Sequence, residues 1–235
     1  MIPLRDNVPT RHFPIVTVGL IVANVLVFLW QVSGTPLDRD VIRYGYYPCE
    51  LQGPCVDAAR DRELDWPAAA ITSMFMHGDI LHIGGNMLFL WIFGNNVEDA
   101  MGRVRYLVFY LLAGFAATAL QTAVTLQTAD AAGASIPNIG ASGAISGVLG
   151  AYFLILPSAS VLTAIFLGFI FFLREIPAFF FLGFYALFQA YQANFQLQHP
   201  PEGGGVAVFA HIGGFVFGMA AVKLFQKRRP LRPHY

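Results

Sequence analysis

Charge is what this sequence has least of. Of its 235 residues, 12% are charged and 56% hydrophobic, whereas an ordinary soluble domain carries roughly 25% charged residues. Half of the expected charge is missing, which excludes a solvated globular domain and leaves a membrane class. Lys plus Arg and Asp plus Glu balance at 14 each, and no stretch resembles a nucleic-acid module. Cysteine is nearly absent: Cys49 and Cys55 are the only two, too few to signal a metal site. A cleavable signal peptide is not expected either. Met1 to His12 is polar and proline-containing, and the apolar run that follows has no small-residue cleavage site.

Long apolar runs are what the sequence has instead. They fall at about Phe13–Val32, Ile80–Val97, Tyr106–Gln127, Ser142–Leu156, Glu175–Phe195 and Val206–Phe225. A helix needs roughly 20 apolar residues to cross about 30 Å of hydrocarbon, so the expectation is an all-α polytopic membrane protein with six spans. A further apolar stretch, 161–173, is short and crowded by its neighbours, and is expected to be an interfacial or re-entrant piece. Basic residues support the count of six. Arg5, Arg11, Arg103, Arg105, Arg174, Lys223, Lys227, Arg228, Arg229 and Arg232 share the terminal side, whereas Arg39, Arg43, Arg60 and Arg62 lie opposite in an acid-rich loop. The positive-inside rule then predicts a multi-pass protein of the cell (cytoplasmic) membrane with both termini cytoplasmic. The expected organisation is an N-terminal tail over 1–12, a transmembrane domain over 13–225 with a long outer loop at about 33–79, and a basic tail over 226–235. Such a long loop needs internal structure or a task. On an oxidising outer face, Cys49 and Cys55 form either a local disulfide or two free thiols.

The fourth run is where chemistry enters. Gly140-Ala141-Ser142-Gly143 opens it, and its ~15 residues make a helix of roughly 22 Å, too short to cross the hydrocarbon. Ser142 therefore falls below the outer surface. Counting inward from the opposite ends of their own runs puts His211 and His82 at a similar depth. A serine at a helix start can be a simple N-cap, but a helix start also offers free N–H groups and a positive dipole end. Ionisable groups inside a membrane are costly and mark function. Gly214 and Gly218 share the face of His211, and Gly143, Gly147 and Ala151 form a small-residue face on the fourth run. Small residues at this spacing let two helices approach closely, bringing His211 within reach of Ser142 as a general base. His82 and Asn86, four residues apart, face one way and can donate to an oxyanion. His77 belongs to the outer loop or to the rim of the site. Among these histidines the spacing is not a recognised zinc pattern, and no metal or cofactor is expected. No carboxylate is placed to complete a triad, so a Ser–His dyad is the simplest arrangement.

These residues resemble the rhomboid intramembrane serine proteases. The resemblance rests on Gly140-Ala141-Ser142-Gly143, His82-x-x-x-Asn86 and Ala210-His211-x-x-Gly214-x-x-x-Gly218, in the family's order and over nearly the whole chain. It implies a six-helix bundle whose short fourth helix carries the nucleophile Ser142, with His211 as base. It also implies an oxyanion hole from the Ser142 N–H, His82 and Asn86. The implied partners are transmembrane protein substrates and the lipid bilayer, with no metal or cofactor and no nucleic acid. Two departures are visible. Ser146 stands where some bacterial relatives have a Tyr that stacks on the catalytic histidine, and Trp66 is followed by Pro67 rather than Arg. The loop at about Gln196 to Gly205 is expected to cover the site. The main rival is a catalytically inactive rhomboid-like protein that binds membrane clients. A transporter would require pathway charges or inverted repeats, and the sequence has neither.

Overall fold

The computed structural model of the chain describes residues 1–34, 37–168, 170–199 and 206–231. Its main helices fall on the apolar runs: α1 (Ile15–Gly34), α4 (Ile80–Met101), α5 (Arg103–Thr128), α7 (Ser142–Ile155), α8 (Ala178–Gln198) and α9 (Val208–Phe225). Short helices α2 (Leu37–Tyr44), α3 (Trp66–Thr72) and α6 (Ala131–Ala134) belong to the connecting loops. Among the described residues α1, α5 and α9 are both long enough and apolar enough to cross a membrane. Their outward side chains, such as Leu26, Leu112 and Leu224, are exposed, as a lipid-facing surface requires.

α7 is the centre of the fold. All of its residues from Gly143 to Tyr152 are buried, which marks a helix enclosed on every side. At 14 residues it is about 21 Å long. Close approach is possible because glycines line its contacts. A Cβ on Gly214 or Gly218 of α9 would collide with the carbonyl oxygen of Gly143 or Gly147, and one on Gly147 would meet the Ala113 Cβ of α5. α4 and α5 are joined at Gly102, whose φ of 80° and ψ of 157° belong to a region open essentially to glycine alone. Glu98, near the end of α4, accepts from the N–H groups of Val16 and Thr17 at 3.0 and 2.8 Å and so ties down the start of α1. Asp99 accepts from Arg11 Nη1 at 2.8 Å.

The terminal face differs from the all-helical expectation. The stretch 161–173, expected as an interfacial or re-entrant piece, is extended rather than helical in its described residues. It lies within a hairpin of β2 (Ser160–Leu167) and β3 (Ile170–Pro177), and β1 (Ile2–Asp6) adds a third strand from within the expected N-terminal tail. β2 pairs antiparallel with both: Ile2 faces Ala164, Asp6 faces Val161, and Leu167 faces Ile170 across the hairpin. Val161, Thr163, Ile165 and Phe166 are β-branched or aromatic, residue types that suit a pleated surface. Asp6 closes the sheet onto the bundle, accepting from Asn96 Nδ2 and from the Tyr152 hydroxyl, both at 2.6 Å.

At the opposite face the long loop is structured. Cys49 and Cys55 are joined by a disulfide and pack with Tyr47, Ala59 and Ala134. Tyr46 and Asn138 exchange backbone hydrogen bonds of 3.3 and 2.7 Å, and Gly140 N–H donates to the Ser73 carbonyl at 2.8 Å. The loop thereby fixes the segment leading into α7.

Candidate active site

Ser142 is the first residue of α7. Ala141, not Ser142, occupies the N-cap position, and no side chain caps the helix there. The hydroxyl is directed elsewhere: His211 Nε2 lies 2.9 Å from Ser142 Oγ. Two helices distant in sequence meet at this point because their glycines allow backbone contact. Gly140 shapes the approach. Its φ of 116° is unfavourable to any side chain, and a Cβ there would lie 2.7 Å from His82 Nε2.

The other ring nitrogen of His211 is held by a residue that the sequence reading missed. Gln189 on α8 places its Oε1 3.0 Å from His211 Nδ1. An amide oxygen only accepts, so Nδ1 carries the proton and Nε2 presents its lone pair to the serine. Tyr185, one turn before Gln189, lies on the same face of α8. Its ring centroid is 6.5 Å from that of His211, and its hydroxyl is 2.7 Å from Ser146 Oγ. Ser146 uses its own proton on the Ser142 carbonyl, also at 2.7 Å, so Tyr185 donates to Ser146. With Ser146 one turn after Ser142, the aromatic neighbour of His211 is Tyr185 of α8. The signal for both residues was their spacing: a Tyr and a Gln four apart in a Phe-rich helix that also carries Gln192, Asn194 and Gln196.

His82 and Asn86 sit in the first turns of α4. Asp79 caps that helix, its Oδ1 accepting from the Leu81 and His82 N–H groups at 2.8 Å each. His82 Nδ1 accepts from Gly78 N–H at 3.4 Å, which leaves Nε2–H as the donor pointing toward Gly140. The Asn86 amide nitrogen lies 2.9 Å from His77 Nε2. His77 is fully buried rather than at the rim. Burial, with His82 beside it, pushes its pKa down to about 4, so the ring is neutral and Nε2 accepts from Asn86. One amide proton is fixed in this way and the other remains for the cleft. Gln31 of α1 braces the backbone of His77, accepting from its N–H at 3.1 Å.

Beside Ser142 is a cavity of about 30 Å³, bordered by Ser73, Thr118, Gln121 and Asn138. A water molecule needs at least about 10–15 Å³ measured in this way and two or more polar partners, so both conditions are met. Gln121, also missed by the sequence reading, accepts from Ala210 N–H at 3.2 Å. No group of three His, Cys, Asp or Glu side chains able to hold a metal ion occurs among the described residues. Of the expected covering loop at Gln196 to Gly205, residues 200–205 lie outside the described residues. So does Arg232, which the charge reading used.

Fold and site together define a helical membrane protein with a serine and a histidine paired inside the bundle. The model of the rhomboid domain matches residues 66–228, most of the chain, and the protein belongs to the rhomboid family. It is 33% identical over 134 residues to the bovine presenilin-associated rhomboid-like protein, mitochondrial, covering 57% of this chain and 31% of that one. It is 34% identical over 98 residues to rhomboid protein 1, mitochondrial, of Saccharomyces cerevisiae, covering 41% and 27%. With RHOMBOID-like protein 6, mitochondrial, of Arabidopsis thaliana it shares 37% identity over 81 residues, or 34% and 24% of the two chains. The chain spans less than a third of the length of these relatives. Their names also correct the expected location. All three are mitochondrial proteins, so the placement in the cytoplasmic membrane of the cell, with its cytoplasmic termini, is overturned. The physical reason is plain: charge asymmetry orients helices across a membrane but carries no information about which membrane it is.

Proposed function

We propose that the chain is an intramembrane serine endopeptidase that cleaves transmembrane segments of other membrane proteins. The observation that carries this reading is the 2.9 Å contact between His211 Nε2 and Ser142 Oγ, with Gln189 setting the required tautomer. In the proposed reaction His211 Nε2 takes the Ser142 proton as Oγ attacks the scissile carbonyl carbon. The oxyanion is met by the Ser142 N–H, His82 Nε2–H and the free Asn86 amide proton, donors aimed at developing charge where water is scarce. The protonated imidazole then gives its proton to the leaving amine, and an acyl-Ser142 ester remains. A water activated by His211 hydrolyses the ester, and the space beside Gln121 and Asn138 is suited to deliver it.

Six membrane crossings, by α1, α4, α5, α7, α8 and α9, belong to the same proposal. So does the division into a terminal segment 1–12, a transmembrane domain 13–225 and a basic tail 226–235. A substrate helix has its carbonyls hydrogen-bonded internally, so the cut segment must unwind locally before attack. Loss of either Ser142 or His211 would define an inactive client-binding protein, and this chain keeps both.

The test is labelling of the detergent-solubilised protein with a serine-directed fluorophosphonate. We expect labelling of the natural chain and none of Ser142→Ala or His211→Ala. Strong labelling of Ser142→Ala, or no labelling of the natural chain, defeats the assignment.

A further inference from the structure

A second cavity, of about 430 Å³, opens on the terminal face where the residues before α1, the α4–α5 turn and the segment after α9 converge. Its volume is in the range of small-molecule sites. Four cations line it: Arg103, Arg105, Lys227 and Arg228. The ion pairs among the described residues are Arg11–Asp99, Arg43–Glu63 and Arg62–Glu50, and none involves these four. Glu98 and Asp99 also border the cavity, but both are already engaged. Asp99 is paired with Arg11, and both oxygens of Glu98 accept from Val16 and Thr17. The wall therefore sets four cations against the single carboxylate charge of Glu98, and none of the four is in an ion pair among the described residues. The start of α5, which no side chain caps, adds the positive end of a 26-residue helix.

The same wall is apolar at its edge. Phe13 and Val104 line the cavity and are 64% and 78% exposed. They sit at the ends of α1 and α5, two helices apolar enough to cross a membrane. A free anion would use the charges and leave these side chains in water. An amphiphile with a phosphate head and acyl chains would use both. Cations placed only to orient a chain need share no cavity and need no apolar rim.

We propose that this cavity binds the phosphate headgroup of an anionic lipid, with Arg103 and Lys227 as its principal contacts and Phe13 and Val104 against the first part of the acyl chains. Basic pockets at a membrane face commonly take such headgroups. The site lies at the opposite end of α4 from His82 and Asn86, and it does not depend on the proposed proteolysis.

The experiment titrates the purified full chain, in neutral detergent at fixed ionic strength, with dioctanoyl phosphatidylglycerol. Binding is read by native mass spectrometry and by melting temperature. Parallel arms use dioctanoyl phosphatidylcholine and inorganic phosphate. The expected result is saturable binding of phosphatidylglycerol at least about tenfold tighter than of either control. Arg103→Gln with Lys227→Gln should weaken it about tenfold or more, while Arg103→Lys with Lys227→Arg retains it. Should the first pair fail to fold, Arg105→Gln with Arg228→Gln tests the same charge from the other walls. Equal binding of phosphatidylcholine, equal binding of inorganic phosphate, or undiminished binding in the folded charge-removing variants would each overturn the proposal.

Discussion

Gln189 invites the most informative single substitution. Its Oε1 is 3.0 Å from His211 Nδ1, and no carboxylate lies nearby to take over. Gln189→Met keeps the length and bulk of the side chain but removes the acceptor. The lost hydrogen bond is worth ~0.5–1.5 kcal/mol net, and a polar nitrogen left unpaired in a buried setting costs ~1–3 kcal/mol. The ring can recover part of this by flipping or by moving its proton to Nε2, and both responses remove the lone pair facing Ser142. A barrier increase of about 2 kcal/mol corresponds to roughly a 30-fold fall in rate. That is milder than the ~10⁴-fold loss when the aspartate of a soluble Ser-His-Asp triad becomes asparagine, which imposes the wrong tautomer, because methionine imposes no tautomer and leaves part of the population competent. The assay is cleavage of a model transmembrane substrate in detergent, with kcat and KM measured separately and melting temperature as a folding control. We expect kcat to fall about 30-fold with KM little changed, and Gln189→Glu, which keeps an acceptor, to retain more activity than Gln189→Met. A Gln189→Met enzyme with the natural kcat would refute the orienting role. A loss as complete as that of Ser142→Ala would show that Gln189 does more than orient.

Two further predictions follow from the packing. Gly214→Ala places a methyl group on the Gly143 carbonyl oxygen, so α9 must retreat from α7; overpacking of this kind costs ~1–3 kcal/mol. Melting temperature and fluorophosphonate labelling should both fall, whereas Gly84→Ala, with nothing within 4 Å of its new Cβ, should change neither. Equal behaviour of the two variants would rule out close helix contact as the basis of the site. Asp6 is the other case: burial raises its pKa above the ordinary carboxylate value despite donors from the Tyr152 and Asn96 side chains and from the backbone of Val8 and of Asp6 itself. Between its unfolded and folded pKa values the native state binds more protons than the unfolded chain, so this contribution is full in acid and is lost as pH rises through the folded pKa. Asp6→Asn should remove that pH dependence from the melting curves of the full chain while keeping an acceptor for Tyr152; an unchanged pH profile would refute it.

The sequence was most legible where one physical signal dominated. Apolar runs located α1, α4, α5, α7, α8 and α9 to within a few residues, because length and composition report burial in an apolar medium directly. The meeting of Ser142 with His211 was legible from depth and from the glycines at 143, 147, 214 and 218, since close approach has a strict spacing. The sheet was not. Residues 161–173 show only that they are apolar, and their strand partner, Ile2–Asp6, is short, partly polar and more than 150 residues away, beyond any local periodicity. Gln189 and Tyr185 were overlooked because the same helix carries Tyr191, Gln192, Asn194, Gln196 and Gln198, and nothing local singles out the two that face His211. His77 lies in the outer loop, one of its two expected places, but it is buried, and its partners Gln31 of α1 and Asn86 of α4 leave no local signature.

The pairing of Ile2 with Ala164 also has a consequence in time. At roughly 5–20 residues per second, the ribosome needs on the order of 10–30 s after making β1 before β2 exists to receive it. During that interval α1, α4, α5 and α7 can already settle against one another, while Asp6 has yet to meet Tyr152 and the sheet that will hold it. The residues of β1 therefore wait while four of the main helices are made, and their pairing comes only shortly before α8 and α9 follow. A bulky fusion placed directly before Met1 would act at that late step: helices would insert normally, and the hairpin would emerge to find its neighbouring edge obstructed.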